Sequence, residues 1–155
     1  MGMEKIKKII EKILGVMGFE TREIVIKKDN LSKDKEVMNV DVDMEIRDAD
    51  SFMRDGAEGL NALQHLIRLL FSKEGTGEFL VLDINGYKEK RKNELNDIAI
   101  EIAKKVRRTK EPVVMEPMSA YERRIVHLKL AEQPDIVTES IGEEPERKLV
   151  VRLYP

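Results

Sequence analysis

Cysteine and tryptophan are absent from this 155-residue chain, and histidine occurs only twice. Without cysteine there can be no disulfide framework, no zinc knuckle and no thiol nucleophile. His65 and His127 lie too far apart in sequence to build a histidine-rich metal site by themselves. No metal site and no cofactor is expected. No apolar run approaches the roughly 18 residues of a membrane span. Glu4, Lys7, Lys8 and Glu11 interrupt any apolar core that an N-terminal signal peptide would need. A soluble, cytoplasmic protein is the expectation, with a length that suits one mid-sized domain or two small ones.

Charge is abundant but unevenly spread. Charged residues make up 37% of the chain, with a net charge of −2. Residues 1–83 carry a net −4, residues 84–131 a net +5, and residues 132–155 a net −3. A basic block between two acidic ones is the footprint a polyanionic partner would use, although a solvated helix face in a charge-rich protein reads the same way.

Periodicity orders the elements. Ile6, Ile9, Ile10, Ile13, Leu14 and Met17 recur at helical spacing, predicting an amphipathic helix that stops at Gly18. A strand centred on Ile24-Val25-Ile26 follows, with a reversal expected near Asp29-Asn30. Val40, Val42, Met44 and Ile46 alternate with Asp41, Asp43 and Glu45, which predicts a half-buried strand. That alternation also explains the three carboxylates as a wet strand face rather than a metal-binding cluster. One helical turn over 48–53, a break at Arg54-Asp55-Gly56-Ala57, and a helix to about Ser72 come next, with Leu60, Leu63, Leu66, Ile67, Leu70 and Phe71 inward. Glu74-Gly75-Thr76-Gly77 reads as a turn and Phe79–Ile84 as an apolar central strand. The long helix ending near Arg108 has a narrow stripe of Leu95, Ile98, Ala99, Ile102 and Val106. A short strand over 112–115, a helix over 119–131 with Ser119 and Glu122 as a capping box, and a hairpin of 136–141 with 148–153 complete the chain. Lys110-Glu111-Pro112 offers one boundary between two α+β units.

The order α-β-β-(α)-α-β is that of a KH core of bacterial type, though many small α+β domains share it. A second motif is more specific. Within residues 117–128, Arg123 and His127 stand at i, i+4, on one face of a helix, where two such groups could grip one phosphate or sugar edge, with Tyr121 just ahead. With the stretches Leu60–Leu66, Leu82–Arg91, Ala103–Thr109 and Glu116–Leu128, the chain resembles the Jag family of bacterial RNA-binding proteins over residues 3–153. The resemblance implies an α+β architecture: a type II (bacterial) KH domain at 1–85, then a small α+β R-three-H domain at 86–155 that includes the long helix 86–108. It also implies binding of single-stranded RNA or ssDNA, pairing with itself or with a second KH-domain protein, and a role in bacterial cell elongation and envelope growth.

Two departures stand out. Many family members carry an extra N-terminal domain and a charged linker that this chain lacks. The KH clamp, Gly-x-x-Gly in the family, aligns with Arg54-Asp55-Gly56-Ala57, so neither glycine position holds glycine and Asp55 would repel a phosphate. An impaired KH half is expected. The nucleic-acid contacts fall instead on Arg123 and His127, both expected to be largely exposed, with Arg124, Tyr121, Lys88, Arg91, Lys92, Arg107 and Arg108. Each has a plainer role available. Arg123 and His127 could tie their helix to the terminal hairpin, Tyr121 could be core, and Arg107 and Arg108 sit where a helix end favours cations anyway. His65 is expected to pack at a core boundary. A non-catalytic single-strand binder is the leading expectation, and a protein-interaction module built on the degenerate KH half is the alternative.

Overall fold

The computed structural model describes residues 2–32, 35–72 and 79–155. The turn expected at Glu74–Gly77 lies outside them. The chain divides into two compact units, Met1–Tyr87 and Lys88–Pro155, each with its own hydrophobic core. Lys110-Glu111-Pro112 is therefore no boundary; it links two elements inside the second unit.

The first unit runs α1 (Met3–Val16), β1 (Thr21–Ser32), β2 (Lys35–Met44), α2 (Ile46–Ser72) and β3 (Phe79–Ile84). Its sheet has the order β1-β2-β3, with β1 and β2 antiparallel and β2 and β3 parallel. On α1, Ile6, Ile10 and Leu14 recur every fourth residue and are fully buried. Each such side chain contributes about 1.5–3 kcal/mol through burial. Val40, Val42 and Met44 of β2 face the same core while Asp41 and Asp43 are exposed, as the alternation requires.

Several expectations give way to packing. Asp29 and Asn30 are strand residues paired with Val37 and Glu36, so the β1–β2 hairpin extends past the expected reversal. Ile46 is 71% exposed because β2 ends at Met44 and Ile46 opens a helix. On α2 the buried stripe is Leu60, Leu63, Ile67 and Phe71, whereas Leu66 and Leu70 are turned outward. The apolar β3 is an edge strand, not a central one. Two residues one turn apart on α2 close that edge: Gln64 Oε1 accepts the Leu82 N–H at 2.9 Å, and Arg68 Nε donates to the Leu80 carbonyl at 2.6 Å. A covered edge explains a strand as apolar as a central one.

The second unit comprises α3 (Tyr87–Thr109, entered at Lys88), β4 (Val113–Val114), α4 (Ala120–Ala131), β5 (Ile136–Ile141) and β6 (Lys148–Leu153). Its antiparallel sheet has the order β4-β6-β5. The α3 stripe is Leu95, Ala99, Ala103 and Val106; Ile98 is 41% exposed, one position off the buried line. Val126 and Leu130 of α4 and Leu149 and Val151 of β6 complete this core. The capping box at the start of α4 forms as expected. Ser119 Oγ accepts the Glu122 N–H at 3.3 Å, and Glu122 Oε2 accepts the Ser119 N–H at 3.1 Å.

Candidate nucleic-acid interface

The loop aligned with the KH clamp interrupts α2, as its sequence predicts. Arg54 is extended, at φ −63° and ψ 154°, whereas Asp55, Gly56 and Ala57 occupy the left-handed region at φ 52°, 73° and 63°. Of the three, only glycine adopts that region without steric cost; a left-handed residue with a Cβ costs about 1–2 kcal/mol. Arg54, Asp55 and Gly56 are exposed, and the Ala57 methyl is buried in the first core. A sharp turn is thus built here with glycine only at position 56, and it presents one carboxylate and one guanidinium to solvent.

On α4 the structure separates residues that the sequence grouped together. Arg123 is not exposed: it is 8% accessible, its Nη1 donates to the Met118 carbonyl at 2.7 Å, and its Nη2 donates to Glu144 Oε1 at 2.5 Å. Glu144 lies between β5 and β6, so Arg123 ties α4 to the terminal hairpin. Arg123 holds the Glu144 carboxyl below the ordinary glutamate range. His127, one turn on, is exposed, and its Nδ1 is hydrogen-bonded to Thr138 Oγ1 of β5 at 2.5 Å. That contact orients the ring and leaves Nε2 without a hydrogen bond among the described residues.

The other basic residues also sort into two sets. Arg91 Nε donates to Glu122 Oε1 at 2.8 Å, so the carboxylate that caps α4 also anchors α3. Arg107 makes a two-pronged bond to Asp135, at 2.6 and 2.7 Å, and a further bond to Gln133. Through this bond Arg107 holds the Asp135 carboxyl below its ordinary value. Arg91 and Arg107 are therefore internal struts, each bound to an acid that lies far along the chain. Lys88 is half-buried. Lys92, Arg108 and Arg124 are exposed and carry no ion pair among the described residues.

What remains open on α4 is a compact strip. Tyr121, Arg124 and His127 follow at i, i+3 and i+6, and Leu128 lies one turn beyond Arg124. All four are exposed, Tyr121 at 61% and Leu128 at 55%. Leu128 was missed in the sequence, although its polar surroundings on the helix already set it off the Val126–Leu130 line. An aromatic ring and a leucine beside a guanidinium and an imidazole offer stacking, apolar contact and anion binding within two turns. Among the described residues no group of three acidic or histidine side chains could hold a metal ion. No described helix is long and apolar enough to cross a membrane.

Comparison with known proteins places this architecture. The family model of the R-three-H domain matches residues 93–153, which takes in nearly all of the second unit. Over 130 residues the chain is 37% identical to a protein named RNA-binding protein KhpB from Clostridium symbiosum, covering 75% of this chain and 59% of the relative. Proteins of the same name from Lactiplantibacillus plantarum and Bacillus subtilis are 34% and 37% identical over 95 residues. The chain spans 30% and 46% of their lengths. The second unit is thus an R-three-H domain, in a mixed α+β chain. The chain is a homologue of these KhpB proteins, and the Jag-family resemblance stands.

Proposed function

We propose that the chain binds single-stranded RNA without acting on it chemically, and that the α4 strip of Tyr121, Arg124, His127 and Leu128 is the contact surface. The observation that carries this reading is the exposure of those four side chains on a unit that is an R-three-H domain, in a chain whose relatives are named RNA-binding proteins. Tyr121 supplies a stacking face that every base can use, and Arg124 supplies an unpaired cation for the backbone. Lys92 and Arg108 add salt-sensitive attraction. The first unit is read as a type II KH domain whose clamp is weakened, since Asp55 puts an exposed carboxylate on the loop aligned with it. Single-stranded DNA would share the stacking and phosphate contacts. The role would be cytoplasmic and, by the resemblance, tied to bacterial cell elongation and envelope growth.

Fluorescence anisotropy with a labelled single-stranded oligoribonucleotide, titrated at several salt concentrations, tests the reading. Arg124→Ala should weaken binding by about 1–2 kcal/mol and flatten the salt dependence, and Tyr121→Ala should cost about 1–3 kcal/mol. Unaltered affinity in both variants, with the fold intact, refutes the assignment.

A second reading rests on α2, where Leu66, Leu69 and Leu70 are 45%, 49% and 41% exposed beside His65. An outward apolar stripe on a helix suits pairing of the first unit with itself or with another KH protein. Sizing chromatography of the wild type and of Leu69→Glu distinguishes a dimer on this face from a monomer.

A further inference from the structure

The Arg123 guanidinium already holds an anion. We propose that Glu144 is a built-in competitor for an RNA phosphate at Arg123, so that a strand reaches this arginine only by exchanging its phosphate for the carboxylate. The inference rests on the reading of the second unit as a single-strand binder.

Three observations carry it. First, the pair is asymmetric: the Arg123 side chain is 9% exposed, whereas that of Glu144 is 54% exposed. The anion lies on the solvent side of the cation, where an incoming ligand would arrive. Second, the two terminal nitrogens of the Arg123 guanidinium have different partners. Nη1 is held from within by the Met118 carbonyl, and Nη2 alone meets Glu144. Exchange changes the partner of one nitrogen and leaves the other in place. Glu144 makes no other hydrogen bond among the described residues, so its release breaks one hydrogen bond and leaves it in the field of Arg147. Third, Arg123 precedes the exposed Arg124 and lies one turn from His127, so a strand on the strip passes the Arg123–Glu144 pair.

The chemistry of the swap is balanced. A carboxylate and a phosphodiester each carry one negative charge and offer oxygens to a guanidinium. Simple opening of the pair would strand a nearly buried cation, which is costly. Exchange avoids that state, since Arg123 always has an anion. Glu143 and Glu146 flank Glu144 in the same exposed turn. When Glu144 leaves Arg123 it stays near Arg147 but between Glu143 and Glu146, and this net negative turn opposes the strand and sets the affinity below what Arg123 alone would give.

Anisotropy titrations of the full chain with one single-stranded oligoribonucleotide test the competitor. Glu144→Gln removes the charge but keeps an oxygen that can accept from Nη2, so the hairpin contact survives. It should raise affinity by at least about threefold and steepen the salt dependence, because one more cation becomes available to phosphate. Glu143→Gln removes a neighbouring charge without touching Arg123 and should change affinity far less. Equal gains from both variants would overturn the proposal, since long-range repulsion would then explain them. No gain from Glu144→Gln, while wild type binds and Arg124→Ala weakens it, overturns the competitor and leaves the functional reading standing. Binding by Glu144→Gln where wild type is silent supports it. Silence from both overturns the competitor and the functional reading together.

Discussion

Asn85 grips Met44 by both ends of its side-chain amide. The Met44 N–H donates to Oδ1 at 2.9 Å, and Nδ2 donates to the Met44 carbonyl at 3.0 Å. The Asn85 N–H also donates to the Val42 carbonyl at 3.0 Å. Asn85 thereby extends the β2–β3 ladder beyond its last pair, Val42 with Ile84. It does so at φ 51°, where asparagine is better tolerated than most residues.

Asn85→Ala removes both side-chain bonds, about 1 kcal/mol each, and leaves a Cβ residue in the left-handed region at about 1 kcal/mol more. A loss of about 2–3 kcal/mol is expected from the urea midpoint. Asn85→Gly should recover the backbone share and not the bonds, so its loss should be smaller.

Gly59 marks the crossing of the two halves of α2. A Cβ there would stand 2.9 Å from the Phe52 Cα and 3.2 Å from its carbonyl oxygen. Alanine ordinarily gains about 1 kcal/mol over glycine inside a helix. Here the obstacle is backbone, which cannot rotate away, and overpacking of this kind costs about 1–3 kcal/mol. Gly59→Ala should therefore destabilise. Gly15→Ala, on an exposed position of α1 with nothing within 4 Å, should instead stabilise by up to about 1 kcal/mol. Thermal melts of the two variants should move in opposite directions.

Arg123→Ala should act first on the fold. It leaves the Met118 carbonyl without its donor and frees the hairpin turn at Glu144, a loss of about 1–3 kcal/mol. Arg124→Ala, on the neighbouring exposed position, should leave the melting temperature unchanged and lower RNA affinity. Melting and binding measured on the same two proteins check the division of labour.

Arg107 and Asp135 set an acid limb. In the folded state the bond to Arg107 depresses the pKa of Asp135 below the ordinary aspartate value. The stabilisation is therefore fully present above the unfolded pKa and is lost as pH falls through the folded one. Asp135→Asn should melt lower than wild type at neutral pH, and the two curves should converge below about pH 4. Curves that stay parallel down to low pH would exclude the pair as the origin.

The sequence was most legible where a single periodicity governs burial. Ile6, Ile10 and Leu14, the alternation through Val40 and Met44, and the Ser119–Glu122 box depend on neighbours within a few positions, and all appear as read. Stripes were read too wide at Leu66, Leu70 and Ile98, because an apolar residue beside the stripe looks the same in sequence as one within it. The candidate site was less legible. Whether Arg91, Arg107 or Arg123 faces a ligand depends on Glu122, Asp135 and Glu144, acids more than twenty positions away in sequence. No local pattern announces those pairs. Arg124 and Tyr121, which lack such partners, kept the exposure that a binding role needs.

Gln64 and Arg68 bear on how the chain behaves in a crowded solution. An open, apolar edge strand is a template on which a second chain can lay its own strand, and repetition of that step is the start of fibrillar aggregation. By holding the Leu82 N–H and the Leu80 carbonyl, the two side chains take up the groups such a strand would need. The double variant Gln64→Ala with Arg68→Ala should unmask that template, turning a mild loss of stability into concentration-dependent precipitation that thioflavin fluorescence would follow.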